Sequence, residues 1–114
     1  MKTIETARDI LPPGQKAVVF FTRGEKLEIR KDGTGSIGNY KTSTTRLDEM
    51  DKVIVYLKEE VNKARIFVGD YEANSPSPQN NRRIIHFSHL KEIGSTDSHW
   101  QVFSHSRQSP FVYI

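Results

Sequence analysis

Three short runs of apolar, largely β-branched residues in the second half of the chain limit its fold more than any other feature. They occupy residues 52–58 (KVIVYLK), 64–71 (ARIFVGDY) and 82–88 (RRIIHFS). Runs of this length are typical of strands that are buried on both faces, as in a small barrel or sandwich. The polar residues 59–63 are expected to form a turn through which the first two runs pair.

The first half of the chain carries three more candidate strands. Residues 16–22 (KAVVFFT) have the composition of a buried strand, and residues 26–30 (KLEIR) alternate, so that Leu27 and Ile29 are predicted to face inward. We expect these two strands to pair as a hairpin. The Asp-Gly sequence that follows favours another tight turn, which leads into a third strand over residues 36–46.

The remaining segments complete the predicted architecture. Residues 4–11 have apolar positions at helical spacing and are expected to form a short helix, and residues 72–81 (EANSPSPQNN) an exposed, mobile loop. Residues 90–93 fit either a helical turn or a strand, and residues 100–103 and 111–114 are predicted to be closing strands. The sequence therefore predicts a mainly β (α+β) pseudobarrel of six or seven strands with one or two short helices.

Length and composition restrict the class of protein. A chain of 114 residues is expected to form one domain, spanning residues 1–114. The absence of cysteine excludes disulfides, thiolate metal sites and a cysteine nucleophile. Because the apolar runs are far shorter than the ~20 residues that span a bilayer, we expect no membrane partner. The lack of cysteine fits a reducing compartment, and residues 1–13 carry Glu5, Arg8 and Asp9 where a signal peptide needs an apolar segment, so we expect a cytoplasmic location. The apolar ending FVYI indicates either a docked last strand or a domain excised from a longer protein.

Positive charge is concentrated late in the chain. The formal net charge is +3, and beyond Asn74 four Lys or Arg residues and all four histidines accompany only two acidic residues. This half is expected to present a basic face that favours a polyanion. The alternative is the charged edge of a solvated sheet.

A cluster of hydroxyl residues lies at residues 40–46 (YKTSTTR), flanked by an aromatic ring and two cations. Four consecutive hydroxyls cannot all face a dry core without partners, so some must face water or a ligand. Lys41 and Arg46 can bind phosphate oxygens together with the hydroxyls, while the Tyr40 ring stacks on a base. The alternative is a solvent-facing strand in which threonine serves its β propensity.

The only tryptophan, Trp100, follows the polar residues 96–99. These neighbours favour a ring at a surface edge or at the mouth of a pocket, and the alternative is a core anchor. Arg82 and Arg83 follow the predicted loop and can hold backbone phosphates, or else they are hairpin-edge charges.

Two further patterns bear on enzymatic chemistry. Residues 33–38 (GTGSIG) match a phosphate-binding loop, but β-branched residues follow them, so a glycine-rich hairpin fits better. His86, His89 and His99 with Asp97 are residue types that bind zinc or act as a general base. No nucleophile or paired carboxylates at a suitable spacing accompany them.

The order of residues 51–57 (DKVIVYL), 64–72 (ARIFVGDYE) and 82–87 (RRIIHF) resembles the central strands of PUA-like domains, the superfamily that includes EVE, ASCH and YTH modules. The likeness covers residues 51–87. It implies a pseudobarrel that reads DNA or RNA, often at a modified base. It also implies a nuclease or motor domain in the same or a neighbouring chain that acts on what is read.

We therefore predict a nucleic-acid-binding module with no catalytic site, metal or cofactor of its own. Tyr40 and Trp100 would stack on a flipped base, polar side chains would bond its edge, and arginines would hold phosphates. The alternatives are a small metal-dependent nuclease or hydrolase that uses the histidines, and a protein-interaction domain that pairs through exposed strands. The predicted binding residues are Tyr40, Lys41, Ser43, Thr45, Arg46, Arg82, Arg83, Asp97, His99 and Trp100.

Overall fold

The computed structural model describes residues 11–24, 26–41, 44–60, 63–78, 81–96 and 111–113. In this part of the chain seven strands and one short helix form a mainly β domain, which confirms the predicted fold class. In chain order the elements are β1 (Ala17–Thr22), β2 (Leu27–Ile29), β3 (Gly35–Tyr40), α1 (Thr44–Asp48), β4 (Lys52–Glu60), β5 (Lys63–Pro76), β6 (Arg83–Thr96) and β7 (Phe111–Tyr113).

The strands form one mixed sheet in the order β2-β3-β6-β5-β4-β1-β7. β1 and β4 are parallel, and the other neighbours are antiparallel. The Phe20 ring on β1 lies 4.6 Å from the Tyr40 ring on β3, although three strands separate β1 from β3 in the sheet. In a flat sheet these rings would be roughly 19 Å apart, since neighbouring strands are about 4.8 Å apart. The sheet is therefore strongly curled.

The main core fills the concave face of this curled sheet. Side chains from β1, β3, β4, β5 and β6 alternate into it, and Leu47 and Met50 seal it from α1 and the residues that follow α1. The core residues are Val18, Phe20, Ile37, Tyr40, Leu47, Met50, Val53, Val55, Phe67, Ile85, Phe87 and Leu90.

A second apolar cluster lies on the opposite, convex face. It is formed by the alternate residues of the same central strands, including Val19 on β1, Ile54 and Tyr56 on β4, and Ile66 on β5. The predicted burial of these strands on both faces is therefore confirmed for β1 and β4. Three register shifts between β5 and β6 interrupt the long ladder, and such irregularities let strands bend around a core.

The predicted hairpin of β1 with β2 is wrong. β1 lies between β4 and β7, whereas β2 pairs with β3. The reason is burial. β1 is buried on both faces and needs a central position, whereas β2 has only three residues and is largely exposed. Leu27 packs against the core as predicted, but Ile29 is 44% exposed, which corrects its predicted inward position.

The predicted third strand is also too long. β3 ends at Tyr40, and Thr44, Thr45 and Arg46 belong to α1 instead. Leu47 and Met50 lie three residues apart and both enter the core, and this burial outweighs the strand preference of the two threonines.

The first half of the predicted loop at residues 72–81 is strand. β5 continues to Pro76, β6 begins at Arg83, and the Ser77 amide donates to the Arg82 carbonyl at 3.0 Å across the turn. β4 pairs with β5 only as far as Asp70, so Pro76 lies where its missing N–H interrupts no ladder with β4.

Other predicted elements have mixed outcomes. The pairing of β4 with β5 is confirmed, residues 90–93 are strand, and β7 pairs antiparallel with β1 as a closing strand. The predicted helix at residues 4–11 falls almost wholly, and the strand at residues 100–103 wholly, outside the described residues. Among the described residues no helix is long and apolar enough to cross a membrane.

Candidate nucleic-acid interface

Several of the predicted cations meet at the end of the sheet that carries α1, which we call the α1 end. Tyr40, the last residue of β3, is the register partner of Arg83, the first residue of β6. Because the two strands are antiparallel, Lys41 after β3 and Arg82 before β6 lie at this same end. Lys41 and Arg82 are exposed and Arg83 is half-buried.

A hydrogen-bonded network ties Arg83 to α1 through β5. The Arg83 Nε and Nη2 atoms both donate to Asn74 Oδ1, at 2.8 and 2.5 Å. The Asn74 amide group donates to the Tyr71 hydroxyl at 2.6 Å and to Asp48 Oδ1 at 3.3 Å. The Tyr71 hydroxyl in turn donates to Asp48 Oδ1 at 3.1 Å. This network joins α1, β5 and β6 at the α1 end.

Tyr71 remains a hydrogen-bond donor at neutral pH. Burial raises the pKa of Tyr71 above its ordinary value, the hydrogen bond from Asn74 opposes this shift, and the Asp48 carboxylate adds to it. The neutral phenol therefore bridges the amide of Asn74 and the carboxylate of Asp48.

Tyr40 does not present its ring to the solvent. It is 8% exposed and packs against Phe20 in the core, so a base could stack on it only after this contact was broken. We therefore do not keep Tyr40 as a stacking residue. Thr45 and Arg46 are exposed on α1, close in sequence to Asp48 of the network. Ser43, Asp97, His99 and Trp100 lie outside the described residues.

A second polar cluster surrounds Asp70 on β5. Lys52 Nζ lies 2.5 Å from Asp70 Oδ1, and His89 Nδ1 lies 2.9 Å from Asp70 Oδ2. The hydrogen bond from Lys52 lowers the pKa of Asp70 most, and His89 adds a smaller effect in the same direction. Asp70 is therefore ionised at neutral pH and offsets the charge of Lys52, so we leave Lys52 out of the candidate interface.

The cluster is not a catalytic triad, although it contains serine, histidine and aspartate. Ser88 Oγ and Asp70 Oδ2 both lie near Nδ1 of His89, at 3.1 and 2.9 Å. In a triad the serine and the carboxylate contact different ring nitrogens. The Ser88 hydroxyl also donates to Glu72, which directs its proton away from His89.

The two described histidines have separate partners. His86 Nε2 lies 2.8 Å from Ser75 Oγ, whereas His89 contacts Asp70 and Ser88. Within the described ranges, no group of three or more His, Asp or Glu side chains is arranged to hold a metal ion. The alternative of a metal-dependent hydrolase therefore gains no support from His86 and His89.

Comparison with known proteins adds no family assignment. A scan against protein-family models and searches of curated proteins and of solved structures found no match.

Sequence reasoning finds the cations of the α1 end but misses the network that holds one of them. The sequence pattern places Asn74 in a loop and gives no role to Tyr71 or Asp48. A register shift between Tyr71 and Ala73 lies just before Asn74 on β5. No local sequence signal marks such a register shift. Tyrosine and asparagine are residue types whose side chains form hydrogen-bonded networks, and this is the only sign of the network in the sequence.

Proposed function

We propose that this domain binds nucleic acid through the α1 end of its sheet. The proposal is supported by the convergence there of Lys41, Arg82 and Arg83, with Arg46 on the adjoining helix. Cations dominate affinity for nucleic acids because they neutralise phosphates and release counterions. Asp48, the acidic residue of the network at this end, already accepts hydrogen bonds from Tyr71 and Asn74.

The observation that carries the proposal is the pairing of Tyr40 with Arg83. Residues 40 and 83 are 43 positions apart in the chain, and only the pairing of β3 with β6 brings their neighbours together. A sequence with scattered cations would not by itself define a surface. Here the register of β3 with β6 places Lys41 and Arg82 together at the α1 end. From there the two side chains can contact successive phosphates of a nucleic-acid backbone.

Base reading is the second part of the proposal. Thr45 on α1 is exposed and offers a hydroxyl beside the cations. Ser43, Asp97, His99 and Trp100 retain the roles that the sequence predicts, polar contacts to a base edge and stacking by the indole. The resemblance to PUA-like modules favours a flipped or modified base as the target, and a nuclease or motor domain as the partner. We place this function in the cytoplasm, consistent with a chain that lacks cysteine.

Removing three cations of the α1 end tests the proposal. The variant Lys41→Ala, Arg46→Ala, Arg82→Ala is expected to bind DNA or RNA oligonucleotides about 10- to 100-fold more weakly at moderate salt. The slope of log affinity against log salt should fall by about one for each phosphate that the variant no longer neutralises. Fluorescence anisotropy with single- and double-stranded DNA and RNA, with and without modified bases, measures both quantities.

The chain offers a control with the same change of charge. Arg23→Ala, Lys31→Ala, Lys91→Ala removes three exposed cations that lie away from the α1 end, near the end of β1, the β2–β3 turn and the middle of β6. This control should keep most of the affinity and the salt slope. Equally weakened binding in the two triple variants would mean that binding depends on net charge alone, and the interface would be wrong.

A further inference from the structure

The guanidinium of Arg83 is held in place by the side chain of Asn74 on the neighbouring strand, β5. Two of the five N–H donors of its guanidinium, on Nε and Nη2, converge on a single oxygen, Oδ1 of Asn74. This contact occupies the Nε edge of the guanidinium plane. The edge formed by Nη1 and the second hydrogen of Nη2 is the one left for a two-point contact with an anion.

The orientation of the Asn74 amide is set from its other side. Its amino group donates to the Tyr71 hydroxyl at 2.6 Å and to Asp48 Oδ1 at 3.3 Å. Turning the amide over would place its amino group against the guanidinium, donor against donor, and its oxygen against the Asp48 carboxylate. Both changes cost hydrogen bonds at a half-buried site. Asp48 and Tyr71 thus fix the direction in which Asn74 presents its oxygen.

The anchor is a neutral amide rather than a carboxylate. An aspartate at this position would hold the guanidinium as well, but it would neutralise the charge. Asn74 restrains the side chain and leaves the positive charge in place. A long side chain restrained before binding loses less conformational freedom when a ligand arrives. A guanidinium that is both restrained and fully charged is suited to contact a phosphate. A purely structural ion pair would not need the anchor to be neutral.

We propose that Asn74 is a positioning residue that holds the guanidinium of Arg83 for two-point contact with a backbone phosphate of the bound nucleic acid. This inference rests on the proposed function. Arg83 is the residue that touches the phosphate, and Asn74 acts through it. Because a guanidinium matches phosphate by its planar pair of donors, lysine cannot replace it at this position.

A double-mutant cycle tests the inference. Arg83→Ala is expected to weaken oligonucleotide binding about tenfold and to lower the salt slope by about one. Asn74→Ala should weaken binding about three- to tenfold but change the slope by much less than one, because the charge remains. In the double variant the loss of affinity should equal that of Arg83→Ala alone, since Asn74 then has nothing to position.

Two further variants separate positioning from folding. Arg83→Lys keeps the charge and is expected to bind like Asn74→Ala, with a nearly unchanged salt slope. Ser75→Ala removes a side chain that contacts His86 on the same pair of strands, and it should bind like the wild type. Thermal unfolding of each variant shows whether its fold is retained, and Arg83→Lys decides the matter if Asn74→Ala does not fold.

The possible outcomes distinguish the two proposals. If the wild type binds, and Asn74→Ala and Arg83→Lys both bind as tightly as the wild type, the positioning role is wrong and the proposed function stands. Additive effects on affinity in the double variant would also overturn it, since Asn74 would then act independently of Arg83. If the wild-type protein binds no oligonucleotide at low salt, the proposed function fails and the inference fails with it.

Discussion

Replacing Phe20 with alanine is expected to lower the free energy of unfolding by about 3 to 5 kcal/mol. Phe20 is fully buried at the centre of β1, and its ring lies 4.6 Å from the ring of Tyr40 on β3. The ring therefore fills the space across which the curled sheet closes on itself. Its removal leaves a cavity between strands that are not hydrogen-bonded neighbours, so the surrounding backbone has little freedom to collapse into it.

The neighbouring phenylalanine supplies the control. Phe21 faces the convex side, is only partly buried and packs against Tyr56 at a ring separation of 5.3 Å. Phe21→Ala is expected to cost clearly less than Phe20→Ala in urea unfolding. If the two substitutions destabilise the protein equally, Phe20 does not fill the core of a curled sheet as described.

Gly35→Ala is expected to destabilise the protein by about 3 kcal/mol or more. A Cβ atom at position 35 would overlap the Glu28 carbonyl oxygen and lie 2.9 Å from two ring carbons of Phe87. The first contact is with backbone and cannot be relieved by rotating a side chain. β2 would have to move away from β3, and the Phe87 ring would have to leave the core position it now fills.

A second glycine on the same strand isolates this effect. At Gly38 the nearest contact of an added Cβ is 3.0 Å to a side-chain carbon of Ile84, which has more room to adjust. Gly38→Ala is therefore expected to cost less than Gly35→Ala when both are compared by urea unfolding. A Gly35→Ala protein as stable as the wild type would show that β2 does not pair with β3 in the register described.

The strands of the centre of the sheet can be predicted because their signal is local. Residues 52–58 and 64–71 are apolar on both faces, and a polar turn between them makes an antiparallel pair the simplest arrangement. The partner of β1 cannot be predicted in this way. β1 pairs in parallel with β4, although β2, β3 and α1 lie between these two strands in the chain. No short-range sequence pattern encodes such a contact.

Two boundary errors have the same physical origin. Thr44 and Thr45 prefer strands, yet they lie in a helix because Leu47 in this helix and Met50 just after it gain burial in the core. Asn74 and Ser75 prefer loops, yet they lie in β5 because Arg83 and His86 on β6 satisfy their polar groups. In both cases a tertiary contact outweighs local propensity, which the sequence alone does not display.

The candidate site is predictable only in part. Lys41, Arg46, Arg82 and Arg83 stand out in the sequence as cations beside polar segments, and the register of β3 with β6 gives three of them a common end. The polar neighbours of Tyr40 favour a surface position, but its ring packs in the core together with Ile37 of the same strand. A single aromatic at the end of a strand does not reveal which face it occupies.

The most direct test of the proposed interface is to map where an oligonucleotide contacts the protein. Amide chemical shifts of the ¹⁵N-labelled domain, followed during titration with the tightest-binding oligonucleotide, report the contact residue by residue. We predict that the largest changes occur at Lys41, Arg46, Arg82 and Arg83, with changes at Asn74 that follow those of Arg83. Changes confined to the β2–β3 turn and the middle of β6, with the α1 end unaffected, would contradict the proposal.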